Sequence, residues 1–182
     1  MKRALALATV VVLLLPVALA AKDSGDSGNT LVRFEGGVGV HPVSNVAGTQ
    51  NADGSFPNVT RNVVRGVNPA GQIWVIADLR ADIKNDGHIR VNGEGLLLAG
   101  GNAIGSNAGA SVFATLFCAN DGNTAHNSNL AGVPLAPNGD FHIDDILSPA
   151  PPATCTSPVL LIRNATNQTW FAAGFQKLDP DN

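Results

Sequence analysis

Asp140, His142 and Asp144 alternate along the segment GDFHIDDI, and their residue types are those that bind divalent metal ions. Residues at i, i+2 and i+4 of a β-strand project from one face of the strand. An imidazole with two carboxylates forms a partial ligand set for a divalent metal. Alternating polar residues are also typical of a strand face in water, so a metal site and a solvated face are the two alternatives.

Two further acids, Asp78 and Glu94, lie in the segment IWVIADLRADIKNDGHIRVNGEG, residues 73–95. A close pair of carboxylates can perform acid–base chemistry or bind a cation. The simpler interpretation is a solvated sheet face on which Arg80 neutralises the two acids, with a bulge at Gly93 or Gly95 that offsets them.

A β-hairpin must position these acids, because apolar and polar residues alternate through the same segment with a period of two. Ile83 and Ile89 share the buried face only if they pair, which leaves the three-residue loop 85–87. Such a loop ends in a left-handed residue, and Gly87 tolerates that conformation. The register therefore places Asp82 opposite Arg90 and Asp78 opposite Glu94.

The open end of this hairpin is apolar on its outer face as well. The same register pairs Trp74 with Leu98 and Ile76 with Leu96. A loop or strand of the same domain can cover these side chains, and so can a partner subunit or an apolar ligand. Because exposed apolar patches mark interfaces, the four residues are a candidate binding surface.

Other motifs in the chain carry no specific chemistry. The glycine-rich segment 99–111 lacks the Lys-Ser/Thr end of a phosphate-binding loop. His41, His88 and His126 stand among turn residues without a spaced nucleophile. The chain has no tyrosine and two tryptophans, which is a thin basis for a carbohydrate platform.

The first 21 residues have the layout of a secretory signal peptide, with Lys2 and Arg3 before an apolar run and small residues near Ala20. Residues 22–30 read as a flexible polar tail, and residues 31–178 as one domain. No later segment is apolar for long enough to span a membrane. Cleavage removes two of 11 cations and leaves nine against 14 acids, a formal charge of −5 that disfavours nucleic-acid binding.

Two cysteines, Cys118 and Cys155, remain in the mature chain. In an oxidising compartment we expect one disulfide between them. The bond would pin the proline-rich connection 148–158 across the ends of the sheet.

Short apolar runs separated by glycine, asparagine, aspartate and proline predict seven or eight strands. No long segment keeps a helical period. The fold class expected is all-β, an antiparallel sandwich of the jelly-roll or immunoglobulin-like kind, with a small barrel as the alternative.

The function expected from these observations is a secreted, extracellular or periplasmic, non-enzymatic binding or structural module. Its partner would be a protein, an apolar or carbohydrate ligand, or a second copy of the chain. The alternative is a secreted hydrolase or metal-dependent enzyme that uses surface acids and His142. No cofactor is expected apart from a divalent metal in that alternative.

Overall fold

A computed structural model describes residues 29–178. The predicted signal peptide and residues 22–28 of the predicted tail lie outside the described residues. Asn29 and Thr30, which the tail prediction included, belong to the folded part. The Asn85 amide donates to the Asn29 carbonyl at 3.0 Å, and Thr30 pairs with Lys84.

The described residues form thirteen strands and one short 3₁₀ turn at Ala119–Asp121. The strands are β1 Thr30–Gly39, β2 Val43–Ala47, β3 Asn58–Arg61, β4 Trp74–Val75, β5 Asp78–Lys84, β6 His88–Glu94, β7 Leu97–Leu98, β8 Ser111–Phe117, β9 His126–Asn127, β10 Val133–Pro134, β11 Phe141–Ile146, β12 Val159–Asn164 and β13 Trp170–Gln176.

One antiparallel sheet in the order β10-β8-β12-β13-β1-β5-β6-β11, with β9 beside β8, makes up the body. The sheet curls into a half-barrel, so its two edges approach each other. Asn127 and Ser148 exchange backbone hydrogen bonds of 3.0 and 2.8 Å, and the Asn129 amide donates to the Asp145 carboxylate. The all-β, antiparallel prediction is confirmed, and the single curled sheet encloses the core in the manner of a barrel.

The hairpin of β5 and β6 has the predicted register. Ile83 pairs with Ile89, and both side chains are completely buried. The Gly87 amide donates to the Lys84 carbonyl at 3.0 Å, and Gly87 has a φ of 88°. The three-residue loop with its left-handed glycine is therefore confirmed.

Beyond Asp78 and Glu94, both arms of this hairpin reverse the face that they bury. Leu79 is buried in β5, whereas Trp74 is buried in β4, an odd number of residues away. Gly95 makes the reversal with a φ of 65°, which a residue with a side chain adopts only at a cost. We call this bend, at Ala77 and Gly95, the corner.

Because of the corner, the predicted binding surface is not exposed, and that prediction is wrong. The predicted pairing of Trp74 with Leu98 is present, but the pair points inward. Trp74 stacks on Phe171 with ring centroids 4.0 Å apart. Leu96 and Leu98 are buried, and Ile76 packs against the core. The face is covered from within because the corner turns it onto the core, so it is not available to a partner.

The predicted disulfide between Cys118 and Cys155 is present and joins the end of β8 to the proline-rich connection. Hydrogen bonds reinforce this crossing, since Ala119 and Asn120 donate to the carbonyls of Thr156 and Thr154. The disulfide and these hydrogen bonds together hold the proline-rich connection against the end of β8.

Replacing Cys118 and Cys155 by alanine tests the contribution of this bond. The disulfide closes a loop of 37 residues, so its loss lowers the free energy of unfolding by about 4 kcal/mol in the chain-entropy model. Denaturant unfolding of the oxidised wild type and of the double variant measures the difference. A double variant as stable as the wild type would contradict the assignment of the bond as a stabilising one.

Candidate functional site

The predicted metal residues His142 and Asp144 lie exposed on β11, and each has its own protein partner. His142 Nδ1 lies 2.7 Å from Asn92 Oδ1. Arg90 donates to Asp144 Oδ2 from Nη2 at 2.9 Å and from Nε at 3.2 Å. Among residues 29–178 no group of three His, Cys, Asp or Glu side chains has an arrangement that could hold a metal ion.

The third predicted ligand, Asp140, supports the corner instead. Its Oδ1 accepts a hydrogen bond of 3.0 Å from the Gly95 amide, and its Oδ2 accepts one of 2.6 Å from Asn138 Nδ2. The adjacent Gly139 carbonyl accepts from the Leu96 amide at 3.0 Å. Both carboxylate oxygens are thus engaged, and Oδ1 supports the corner through Gly95.

The acidic pair Asp78 and Glu94 faces across β5 and β6 as the register requires. Arg80 Nε lies 3.1 Å from Asp78 Oδ2, and the Leu79 amide donates to Asp78 Oδ1. Both Asp78 oxygens are thus engaged by neighbouring groups, and Arg80 offsets the charge of Asp78.

The outer face of β1, β5 and β6 holds a shallow depression of about 270 Å³ that is lined by charged side chains. Three ion pairs lie across this depression and its rim. They join Arg33 to Asp82 at 2.9 Å, Lys177 to Glu35 at 2.6 Å, and Arg90 to Asp144 at 2.9 Å.

The acids of this face are poor candidates for acid–base catalysis. A hydrogen bond from Lys177 lowers the pKa of Glu35, and one from Arg90 lowers the pKa of Asp144. A catalytic acid or base is most effective when its pKa lies near the working pH. These carboxylates are ionised and paired at neutral pH, which makes them anchors for arginine and lysine.

A buried histidine was not singled out by its sequence context. His126 is 2% exposed. Its Nε2 lies 2.6 Å from Asp121 Oδ2, and its Nδ1 lies 2.9 Å from the Pro149 carbonyl oxygen. Both nitrogens face acceptors, so neither is free to take a proton from a substrate. The ring ties the 3₁₀ turn to the proline-rich connection beside the disulfide.

A separate two-stranded sheet, β2 with β3, projects from the body. We call residues 43–61 the arm. All nine residues of its two strands are exposed. By contrast, every strand of the main sheet that is six or more residues long contains buried residues. At its base, Trp170 Nε1 donates to the Asn62 carbonyl at 2.9 Å and Arg61 Nη2 to the Pro69 carbonyl at 3.0 Å.

The arm is amphipathic. Val46 pairs with Val59, and Val43 with Arg61, whereas Asn45 pairs with Thr60. Val59 and Arg61 share one face of β3, because alternate residues of a strand point the same way. Their partners Val46 and Val43 lie on that face too, since the register shifts between Val43 and Asn45. Asn45, Thr60 and Asn58 lie on the other face. We call Val43, Val46 and Val59 the valine face; they are 37%, 45% and 55% exposed.

Sequence reasoning missed the arm, although the segment NVTR shows its alternation, with Val59 between two polar residues.

Comparison with protein families, with curated proteins and with solved structures finds no match. Within residues 29–178 no helix has the length and apolar character needed to cross a membrane.

Replacing Asp140 by alanine separates a structural role from a metal-binding one. Loss of the hydrogen bonds to Gly95 and Asn138 lowers the free energy of unfolding by about 1–3 kcal/mol, because both are accepted by a charged group. His142→Ala, at an exposed position, serves as the control and changes it by less than about 0.5 kcal/mol. Thermal unfolding with and without EDTA is the measurement. A destabilisation of wild type by EDTA would contradict the structural role.

Replacing Arg90 by glutamine removes the hydrogen bond that lowers the pKa of Asp144. We expect this pKa to rise toward its ordinary value of 3.8. Since the native pKa is lowered, the pair contributes stability above pH 3.8 that is lost as the pH falls through the native pKa. Carboxyl NMR titration measures the change, with Arg80→Gln as a control. An unchanged Asp144 pKa in the Arg90 variant would refute the assignment.

Proposed function

We propose that the protein is an exported, non-enzymatic binding or structural module, and that the arm is its contact element. The exposed valine face is the observation that carries this proposal. A two-stranded hairpin alone in water is marginally stable, and burying a valine fully stabilises by about 1.5–3 kcal/mol. An arm with an uncovered apolar face thus gains by contact with another molecule.

The polar chemistry of the body supports a non-enzymatic role. Asp78, Asp140, Asp144 and His126 each bond to a neighbouring group of the protein. Such partners orient loops and strands, and they account for the positions of these side chains without a substrate. The residues that suggested a hydrolase or a metal enzyme thus have structural explanations.

The remaining partner classes are narrowed by charge and aromatic content. A formal charge of −5 on the chain without its first 21 residues disfavours nucleic acids and anionic lipids. Trp74 and Trp170 are both buried and the chain has no tyrosine, so neither tryptophan offers a sugar a stacking surface. A protein surface is the partner that an aliphatic ribbon fits best.

Export is part of the same proposal. The N-terminal pattern is that of a signal peptide, and the Cys118–Cys155 disulfide suits a protein that works outside the reducing cytosol. A projecting arm on a disulfide-stapled body is consistent with contact to other proteins in the extracellular or periplasmic space.

Threonine at positions 46 and 59 tests the proposal, since threonine keeps the β-propensity of valine and removes apolar surface. We expect the V46T/V59T variant to bind an apolar fluorescent dye several-fold less than wild type. The N45T/N58T variant, altered on the polar face, should bind dye as wild type does. The free energy of unfolding of both variants should lie within about 0.5 kcal/mol of the wild-type value, because the arm does not support the core.

Dye fluorescence that is equal in wild type and in V46T/V59T would overturn the proposal, since the valine face would then not be an accessible apolar surface.

A further inference from the structure

We infer that His126 is a pH-sensitive clasp between the two edges of the half-barrel, closed while its ring carries two protons and weakened when the ring loses one. The edges meet at Asn127 and Ser148, which exchange two backbone hydrogen bonds; we call this junction the seam. His126 precedes Asn127 and Pro149 follows Ser148. The contact of 2.9 Å between His126 Nδ1 and the Pro149 carbonyl oxygen therefore crosses the same seam.

The two partners of the ring require two protons. Pro149 offers a carbonyl oxygen and Asp121 a carboxylate oxygen, and neither group can donate a hydrogen bond. At 2.9 and 2.6 Å, each contact needs a proton between the two atoms. Imidazole is a stronger base than carboxylate, so the structure holds the ring as an imidazolium ion beside Asp121. A neutral ring has one N–H group and would turn a lone pair toward one of the two oxygens.

The surroundings of the ring make the loss of one proton costly. The side chain of His126 is 3% exposed, so little water can replace a lost partner. Asp121 Oδ1 accepts a hydrogen bond of 3.2 Å from the Thr124 amide, which orients Oδ2 toward the ring. The Asp121 side chain is 20% exposed, and this gives the pair a route for exchanging a proton with solvent.

Asp121 is the ionisable group that faces the ring. The segments that contact the ring or pair with its strand are residues 111–125, which include β8 and the 3₁₀ turn, and the connection 148–158. Apart from Asp121, their ionisable side chains are Cys118 and Cys155, and these are joined in the disulfide. The pair of imidazole and carboxylate therefore titrates without a second charged neighbour from these segments.

A further acid lies at the seam and away from the ring. Asp145 Oδ2 accepts a hydrogen bond of 2.7 Å from the Asn129 amide. A carboxylate stays an acceptor as the pH rises, so this bond is kept while the ring loses its proton. The seam borders a depression of about 300 Å³, whose lining includes Leu130 and Ile146. Weakening the clasp loosens the seam beside this depression.

The direction of the effect follows from proton linkage. The closed seam requires the doubly protonated ring and the open seam does not, so closing is favoured at low pH. It is disfavoured as the pH rises through the titration of the ring. A hydrogen bond made by a charged group is lost in this step, and we expect the protection of the seam amides against hydrogen exchange to fall by about tenfold.

Ring protonation and opening of the seam can be measured on one ¹⁵N-labelled sample. NMR of the ring nitrogens counts the protons on His126 between about pH 5 and pH 8, the range in which histidine titrates. Hydrogen exchange, corrected for the intrinsic rate at each pH, gives the protection factors of the Asn127 and Ser148 amides. We expect their fall to coincide with the loss of one ring proton. The Leu161 amide, in the middle of the main sheet, should keep its protection.

Asp121→Asn distinguishes a clasp from a histidine that only fills space. An asparagine amide can donate from Nδ2 to Nε2 of a neutral ring, so the neutral ring keeps both contacts. We expect seam protection in this variant to be independent of pH over the same range. Asp53→Asn makes the same substitution in the arm, and this matched control should keep the pH dependence of the wild type.

A ring with one proton at a pH at which the seam is fully protected would overturn the inference. So would wild-type protection that stays constant while the ring titrates, or an Asp121→Asn variant with the pH dependence of the wild type. The first two results come from the wild type alone, so they decide the question even if the variant does not fold.

Discussion

The corner at Ala77 and Gly95 is the constraint on which the rest of the molecule depends. A hairpin that continued straight would expose Trp74 and Leu98 on the outside of a half-open sheet. The corner reverses both strands at once, so Trp74 reaches Phe171 with ring centroids 4.0 Å apart and covers that end of the core. The reversal needs a positive φ at Gly95 and a carboxylate that accepts its amide, and β11 brings that carboxylate near.

This constraint explains why the polar residues of the body look functional in the sequence and act as supports. A curled single sheet has irregular edges and a corner, and the polar backbone groups exposed there need partners. Asp140 accepts a hydrogen bond from the Gly95 amide at the corner, and Asp145 accepts one from the Asn129 amide where the two edges of the sheet meet. His126 contacts Asp121 and Pro149 beside the disulfide. Every buried polar side-chain atom of the described residues has a hydrogen-bond partner, as is usual for the interior of a folded protein.

The sequence predicted the pairing of the strands better than the faces that they bury. Period-two alternation fixes which residues lie opposite each other, so Ile83 with Ile89 and Trp74 with Leu98 were both derived correctly. Alternation does not reveal that the buried face reverses at the corner, because both strands of the hairpin reverse together and their pairing is preserved. The sequence indicates an irregularity at Gly93 or Gly95, but nothing in it shows that Gly95 reverses the buried face. In the structure Asp78 and Glu94 stay in register, and the irregularity lies at Gly95.

The arm was missed for a different physical reason. Its strands bury no side chain against the body, so no strong apolar alternation marks them. The segment NVVRGV, residues 62–67, is one of the short apolar runs from which strands are expected. It is a turn in which Val64 and Val67 pair with each other, since Arg65 and Gly66 both have positive φ. That turn and Asn62 return the chain from the arm to the body. A short apolar run in the sequence does not distinguish such a turn from a strand.

The way in which the arm is attached determines what contact through it can achieve. Its base is held by the indole of Trp170, which is 3% exposed and belongs to β13 in the middle of the main sheet. A side chain so deeply packed cannot shift without disturbing the core, so the point at which the arm joins the body is fixed. Under the proposed function, a partner bound by the arm is thereby connected to the middle of the main sheet.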